Sequence, residues 1–305
     1  MNAIDVAGCS YHYKRGTDAL HALDLAVPTG AIYGLIGVNG AGKSTLLQCC
    51  AGLRVPSAGR IEVFGKPVLA DSPIVAGVLS YVAEAVKLPQ RMTLRAVLDY
   101  VAPLHRRWDA ALLQALLERF SLDPSQRVSV LSRGSQMKAA LLCALAARPR
   151  LLVMDEPFTG MDALVRDDLV RGLLGAATDA GTTVLVASHD LAELETMIDH
   201  LGIIAGGRMV VSGAMDALRE RFQRVTVSAT GAVLDAGGDE RAWLGVERSA
   251  RRLSFLADAS VVPLHPEMLR ARFPGADVQV QEPSVRELFT TLARRELPAE
   301  RRASA

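Results

Sequence analysis

The chain has 305 residues, half of them hydrophobic, with 34 Lys and Arg against 33 Asp and Glu and a formal net charge of +1. That length supports one or two domains with a sizeable core. The near balance of interspersed charge argues against nucleic acid as a partner. The longest apolar runs, Leu151 to Met154 and Thr183 to Ala187, are far too short to cross a bilayer. The first residues, Met-Asn-Ala-Ile-Asp-Val, have neither the basic nor the apolar region of a signal peptide. A cytoplasmic protein is expected, with any membrane association supplied by a partner. Cys9, Cys49, Cys50 and Cys143 match no metal-site spacing and read as small buried hydrophobes in a reducing compartment.

In chain order, Ile4 to Val27 reads as strands with a turn near Lys14 to Asp18. A buried strand follows at Ala31 to Ile36, then a Gly-rich turn and a helix from Lys43 to about Leu53. Arg60 to Phe64 and Val78 to Val82 read as short strands. From about 88 to 147 the chain turns helical: Leu94, Val97, Leu98 and Val101 follow helical spacing, as do Leu112, Leu113, Leu116, Leu117 and Phe120. A helix from about Ser135 to Ala147 stops before Pro149. Strand Leu151 to Asp155, a helix around Leu164 to Ala180 and strand Thr183 to Ser188 form a β-α-β unit, which predicts a parallel sheet. Leu201 to Ala205 and Met209 to Ser212 form a hairpin about Gly206-Gly207. After Phe222 short alternating runs (Val225 and Val227, Val278 and Val280) and a turn at Gly237-Gly238 predict a small α+β appendage over 223–305. Ser284-Val-Arg-Glu287 is a capping box that opens its last helix.

Gly37-Val-Asn39-Gly40-Ala41-Gly42-Lys43-Ser44-Thr45 fits the pattern G-x-x-x-x-G-K-[ST], between a buried strand and a helix. Its glycines let successive backbone N–H groups turn toward phosphate oxygens, and the helix offers its positive end to the same anion. Lys43 is expected on the outer phosphates and the Ser44 hydroxyl on Mg²⁺. Leu151-Leu-Val-Met-Asp155-Glu156 is an apolar strand ending in two acids. A strand buried on both faces carries carboxylates at its end, where open α/β sheets bind ligands. Asp155 is expected beside Mg²⁺, and Glu156 where it accepts a proton from an attacking water. Leu131-Ser132-Arg-Gly134-Ser-Gln136 puts Ser132 and Gly134 at a helix N-terminus, which taken alone is an ordinary cap. His189 follows the strand ending at Ser188.

Together these motifs resemble the nucleotide-binding subunit of ABC transporters over residues 1 to about 222. Gly37 to Thr45 looks like its Walker A motif, Leu131 to Gln136 its signature, Leu151 to Glu156 its Walker B, Thr159-Gly-Met-Asp162 its D-loop and His189 its switch histidine. The resemblance implies a P-loop NTPase fold: a RecA-like α/β core, an N-terminal antiparallel β subdomain and a helical subdomain at about 88–147, followed here by the accessory domain. It implies ATP and Mg²⁺ as cofactors, with Glu156 and His189 catalytic. Tyr13, or in its place Tyr11, would stack on the adenine. Asp162, Ser132 and Gly134 would contact nucleotide across a subunit boundary. Two positions depart from the family. Glu84 stands where Gln is usual, in a place that faces the metal, and Arg133 stands where Gly is usual in the signature.

Each motif occurs once, so the resemblance implies that two ATPase subunits, identical or related, sandwich two nucleotides. Separate integral-membrane permease subunits would dock on the helical segment and on Ala85 to Thr93. The chain would then sit peripherally on the inner face of the plasma membrane. The Ser-Arg-Gly signature and the ending Pro283 to Phe289 resemble ABC-2 type drug and peptide exporters. Two alternatives are a soluble ABC-type ATPase outside transport and a regulatory ATP-binding module of low turnover.

Overall fold

The structure is a computed structural model and describes residues 1–14, 16–68, 77–105, 107–190, 194–229, 243–261 and 266–296. The chain divides into two compact units between Met209 and Val210. The first unit opens with two long antiparallel strands, β1 (Asn2–His12) and β2 (Asp18–Pro28). Then come β3 (Ile32–Ile36), α1 (Lys43–Cys50), β4 (Ala58–Val63), the two-residue β5 (Lys66–Pro67) and β6 (Leu79–Val82). Helix α1 ends at Cys50, short of the expected Leu53, because Ala51-Gly52 turns the chain and Gly52 takes a φ of 72°.

Three helices follow: α2 (Leu94–Val101), α3 (Ala110–Arg119) and α4 (Arg133–Ala146). Each starts on a side-chain cap. Thr93 accepts from Ala96 N–H, Asp109 from Leu112 N–H, and Ser132 from Ser135 N–H. The Ser132 cap starts α4 at Arg133, two residues before the expected Ser135. The unit continues through β7 (Leu151–Asp155), α5 (Ala163–Ala180), β8 (Thr183–Ser188) and β9 (His200–Ala205), and β10 (Arg208–Ala214) carries the chain into the second unit.

These strands form two sheets. One is antiparallel, in the order β2-β1-β4-β5, and the other runs β10-β9-β3-β8-β7-β6. Strands β9, β3, β8, β7 and β6 pair in parallel. Every residue of β7 and β8 is buried, as a strand covered on both faces requires. Helix α1 buries six of its eight residues, and its Leu46, Leu47, Cys49 and Cys50 join one core with Leu23 and Val63 of the antiparallel sheet and Leu35, Val153 and Leu185 of the parallel one. Buried nearly all round, α1 is fixed from two sides rather than laid on a surface. Cys9, Cys49 and Cys50 are buried as expected, whereas Cys143 is only half-buried.

The register sets the functional edge. Ile36 pairs with Ser188, and Asp155 with Ala187. Gly37, Glu156 and His189, each just past its strand, therefore leave three adjacent strands at one level. That is the carboxyl edge, where open α/β sheets bind ligands.

The second unit contains α6 (Met215–Arg221), β11 (Phe222–Ser228), β12 (Trp243–Arg248), β13 (Arg252–Asp258), α7 (Pro266–Arg272), β14 (Asp277–Gln281) and α8 (Val285–Glu296). Its antiparallel sheet has the order β12-β13-β11-β14, the order of split β-α-β folds. Trp243 stacks on Phe255 at 4.2 Å in its core, with Phe273 beside it. The capping box is formed in both directions: Ser284 N–H donates to Glu287 Oε2 at 2.9 Å and Glu287 N–H to Ser284 Oγ at 3.2 Å. The turn expected at Gly237-Gly238 lies outside the described residues.

One buried carboxylate ties this unit together. Asp258 accepts from Arg221 Nε at 3.1 Å and Nη2 at 2.9 Å, and from Ser260 Oγ at 2.6 Å. Burial pushes its carboxyl up, but the Arg221 and Ser260 donors outweigh burial and hold it below the usual carboxylate range. Asp258→Asn is expected to destabilise the unit by about 1–3 kcal/mol at neutral pH. Because the folded-state pKa is depressed, this stabilisation is complete above an unfolded value of about 3.9 and is lost as pH falls through the folded value. Urea melts at pH 7 and in acid test this, and the gap between variant and wild type is expected to close in acid.

Candidate functional site

The expected residues, apart from Ser132, Gly134 and Asp162, meet at that sheet edge. A cavity of about 540 Å³ is lined by Asn39 to Thr45, by Tyr13 and Glu84, and by Glu156, Thr159 and His189. A larger cavity of about 630 Å³ opens elsewhere in the same unit, among Arg107, Trp108, Asp109 and Arg148. It contains none of the motif residues, and its Arg148 is already paired with Asp109 at 2.7 Å.

The loop is shaped by its backbone. Gly42 caps α1 at φ 107°, and a Cβ there would lie 2.6 Å from Ala19 O. Gly42→Ala is expected to cost about 1–3 kcal/mol of stability through this conformation alone. Thermal melts without nucleotide measure that cost apart from any loss of binding. Lys43, 5% exposed, folds back so that Nζ donates to Gly37 O at 2.7 Å. Burying an ammonium requires such partners.

The second partner of Lys43 is Glu156, whose Oε1 lies 3.1 Å from Nζ. The approach is an ion pair without hydrogen-bond alignment, so Oε1 has no hydrogen-bond partner among the described residues. Glu156 Oε2 is 2.8 Å from His189 Nδ1 and accepts from Thr159 Oγ1 at 3.3 Å and from His189 N–H at 3.2 Å. A carboxylate partner assigns the proton to Nδ1, which leaves Nε2 of His189 for another group. Burial pushes the Glu156 carboxyl up, but His189 and Lys43 outweigh it and hold it below the ordinary range. Its backbone has a φ of 48°, a strained value for a side-chain-bearing residue and one found at functional sites.

Asp155 is tuned the other way. Burial is the largest effect and pushes its carboxyl up; the nearby charges of Glu156 and Glu84 add to that, against the Ser44 and Tyr81 hydroxyls. Ser44 Oγ donates to Asp155 Oδ1 at 3.0 Å and Tyr81 OH to Oδ2 at 3.3 Å. Burial and neighbouring charge thus set the two adjacent carboxyls apart, Asp155 above and Glu156 below the ordinary range. Glu84 lines the cavity.

Tyr13 stands at the other end of the cavity. Its hydroxyl is 2.8 Å from Thr45 Oγ1, its ring meets Tyr11 edge-on at 5.0 Å, and the Arg54 guanidinium lies 5.1 Å from its centre. Ser132, Gly134 and Asp162 are not among the residues lining the cavity. Ser132 caps α4, and Asp162 Oδ1 accepts from Val165 N–H at 3.0 Å at the start of α5.

The family model for ABC transporters matches residues 20–159. The daunorubicin resistance ATP-binding protein DrrA3 of Streptomyces coeruleorubidus is 35% identical over 225 residues, 71% of this chain and 70% of its own length. The chain belongs to the ABC transporter ATP-binding proteins. A second relative, the nickel import ATP-binding protein NikO of Rhodobacter capsulatus, is 32% identical over 69% of this chain and 89% of its own. The fold is also that of a solved ATP-binding cassette, MJ0796, in a dimeric structure with ADP and Pi. The two superpose with a TM-score of 0.62 at 19% identity, over 70% of this chain and 98% of that one.

As an ABC cassette the chain is an ATPase whose hydrolysis powers transport. The glycine-framed loop and the buried Lys43 suit a triphosphate. Ser44 Oγ and the Asp155 carboxylate lie side by side, oxygens of the kind that a hard divalent cation accepts. Three residues of this ABC site escaped sequence reasoning. Tyr81 reaches Asp155 only through the pairing of β6 with β7, Arg54 approaches Tyr13 only through the turn after α1, and Thr159 braces Glu156 across a turn. Only Thr159 left a trace in the sequence, as the first residue of the D-loop.

Proposed function

We propose that the chain is the ATP-hydrolysing subunit of a multi-subunit exporter, and that ATP closes two copies of it as a homodimer to drive separate permease subunits. The observation carrying this reading is the division of the motifs: one cavity is lined by the Walker A residues, Glu156 and His189, while Ser132 and Gly134 stand outside its lining. A second copy would bring those two to the phosphate, and Asp162 to the shared boundary. The nucleotide-binding domain would span residues 1–222, and 223–305 would be an accessory domain.

MgATP supplies the bond to be broken and the cation that neutralises its charge. Lys43 would leave Glu156 for the phosphates, and Ser44 and Asp155 would hold the cation, with Glu84 lining the same cavity. Glu156, freed from Lys43 but still oriented by His189 and Thr159, accepts the proton of the attacking water. Tyr13 offers its ring to the adenine.

Export is supported by the likeness to DrrA3, whose name records drug resistance, although NikO is named for import. Tyr100 and Leu104, 67% and 68% exposed on the helical segment, suit docking of an apolar permease surface there. Among the described residues no helix is long and apolar enough to cross a membrane. The chain would therefore reach the inner face of the plasma membrane through its permease. Tagged Glu156→Gln protein, recovered with MgATP from detergent-treated membranes, is expected to bring an integral-membrane polypeptide with it. Recovery with ribosomes or DNA instead would overturn the transport role. Inside-out vesicles carrying both subunits are expected to accumulate a cationic amphipathic drug when ATP is added, and ATP-driven release of the drug would overturn export.

A further inference from the structure

Arg133 is the first residue of α4, directly after the Ser132 cap. A cation at a helix N-terminus opposes the helix dipole. Among the described residues its guanidinium makes no ion pair or hydrogen bond that offsets this, and it lies instead on the loop between β7 and α5. A Cβ built at Gly160 would sit 3.0 Å from Arg133 Nη1 and 3.6 Å from Cζ. Gly160 also has a φ of 73°, so both its backbone and the guanidinium above it call for glycine. The next residue back, Thr159, donates to Glu156 Oε2 at 3.3 Å. A separate ion pair joins α4 to α5 itself, between Lys138 and Asp168 at 3.7 Å. An unbroken set of contacts thus leads from the start of α4 through Gly160 and Thr159 to Glu156 within one chain.

We infer that Arg133 is a positioning residue that couples the two nucleotide sites. This rests on the two-copy closure proposed above. When the phosphate held by a second copy arrives at Ser132 and Gly134, the guanidinium is drawn toward that anion and off Gly160. The loop then relaxes, Thr159 shifts, and Glu156 in the chain's own site is reoriented. Occupancy of one site would in this way set the base of the other. Arg133 acts through Gly160 and Thr159, at a distance from the water it influences.

Steady-state ATPase of the full chain tests this, together with nucleotide affinity measured in a Glu156→Gln background. Arg133→Ala is expected to lower kcat by about tenfold, a typical size for coupling between sites. Its ATP affinity should fall as well, because the guanidinium also meets the phosphate in the closed dimer, and its Hill coefficient should fall toward one. Arg133→Lys should retain most of the wild-type kcat. Gly160→Ala should resemble Arg133→Ala, and the double variant should be no slower than either single, because both disrupt one contact. Wild-type kinetics in Arg133→Ala, or effects that multiply in the double variant, would overturn the coupling. ATP-induced dimerisation of Glu156→Gln is scored separately. If it dimerises while Arg133→Ala behaves as wild type, the coupling fails and the two-copy site stands. If it does not dimerise, both fail together.

Discussion

Lys43→Ala is expected to reduce ATP affinity by at least about a hundredfold and to abolish turnover. The estimate follows from two charge-assisted contacts to phosphate at roughly 1.5–3 kcal/mol each. The same change affects the protein without nucleotide. Lys43 Nζ is the ion-pair partner of Glu156 at 3.1 Å, and the two side chains are 5% and 7% exposed. Removing the ammonium leaves a buried carboxylate held only by His189 and Thr159. A loss of about 1–3 kcal/mol of stability is expected, since a buried polar group that loses a partner bears its desolvation cost. Calorimetric titration with ATP and a thermal melt of the apo protein separate the two effects. Lys43→Met, which restores bulk without charge, should rescue neither.

Glu156→Gln is expected to bind MgATP as well as wild type and to hydrolyse it about 10²–10⁴ times more slowly, the usual worth of a positioned general base. The amide cannot take a proton from water, but it can still accept from His189 and Thr159, so the loop should keep its shape. Hydrolysis at the wild-type rate would remove Glu156 from the role of base. As the proposed base, Glu156 would also have to gain strength as substrate arrives. Lys43 and His189 together hold its carboxyl below the ordinary range. Drawing Lys43 to phosphate removes one of those two influences and raises the proton affinity of Glu156 as substrate arrives.

The phosphate loop was legible in the sequence because its work is local: glycine backbone, a lysine and a hydroxyl set at fixed spacing between a strand and a helix. Asp155 and Glu156 were legible because a strand buried at every position can carry acids only at its end. Their convergence with His189 was expected from the edges of a parallel sheet, and the pairing of Ile36 with Ser188 and Asp155 with Ala187 realises it. What escaped depends on contacts between distant segments. Tyr81 matters because β6 lies beside β7, and no spacing within Tyr81 to Glu84 signals that its hydroxyl reaches Asp155. Arg54 and Tyr13 lie 5.1 Å apart through the turn that ends α1 at Cys50, where helical periodicity had suggested continuing to Leu53. The sequence places Ser132 at the N-terminus of α4, and its bond from Ser135 N–H starts the helix at Arg133, two residues before Ser135.

The half-site is tested most directly by the mass of Glu156→Gln protein in solution, measured by sedimentation or light scattering with and without MgATP. A monomer that becomes a dimer on MgATP, and stays monomeric when Ser132 is also replaced by Phe, is the predicted result. A protein that remains monomeric at saturating MgATP, or that dimerises equally with the Ser132 substitution, would contradict it.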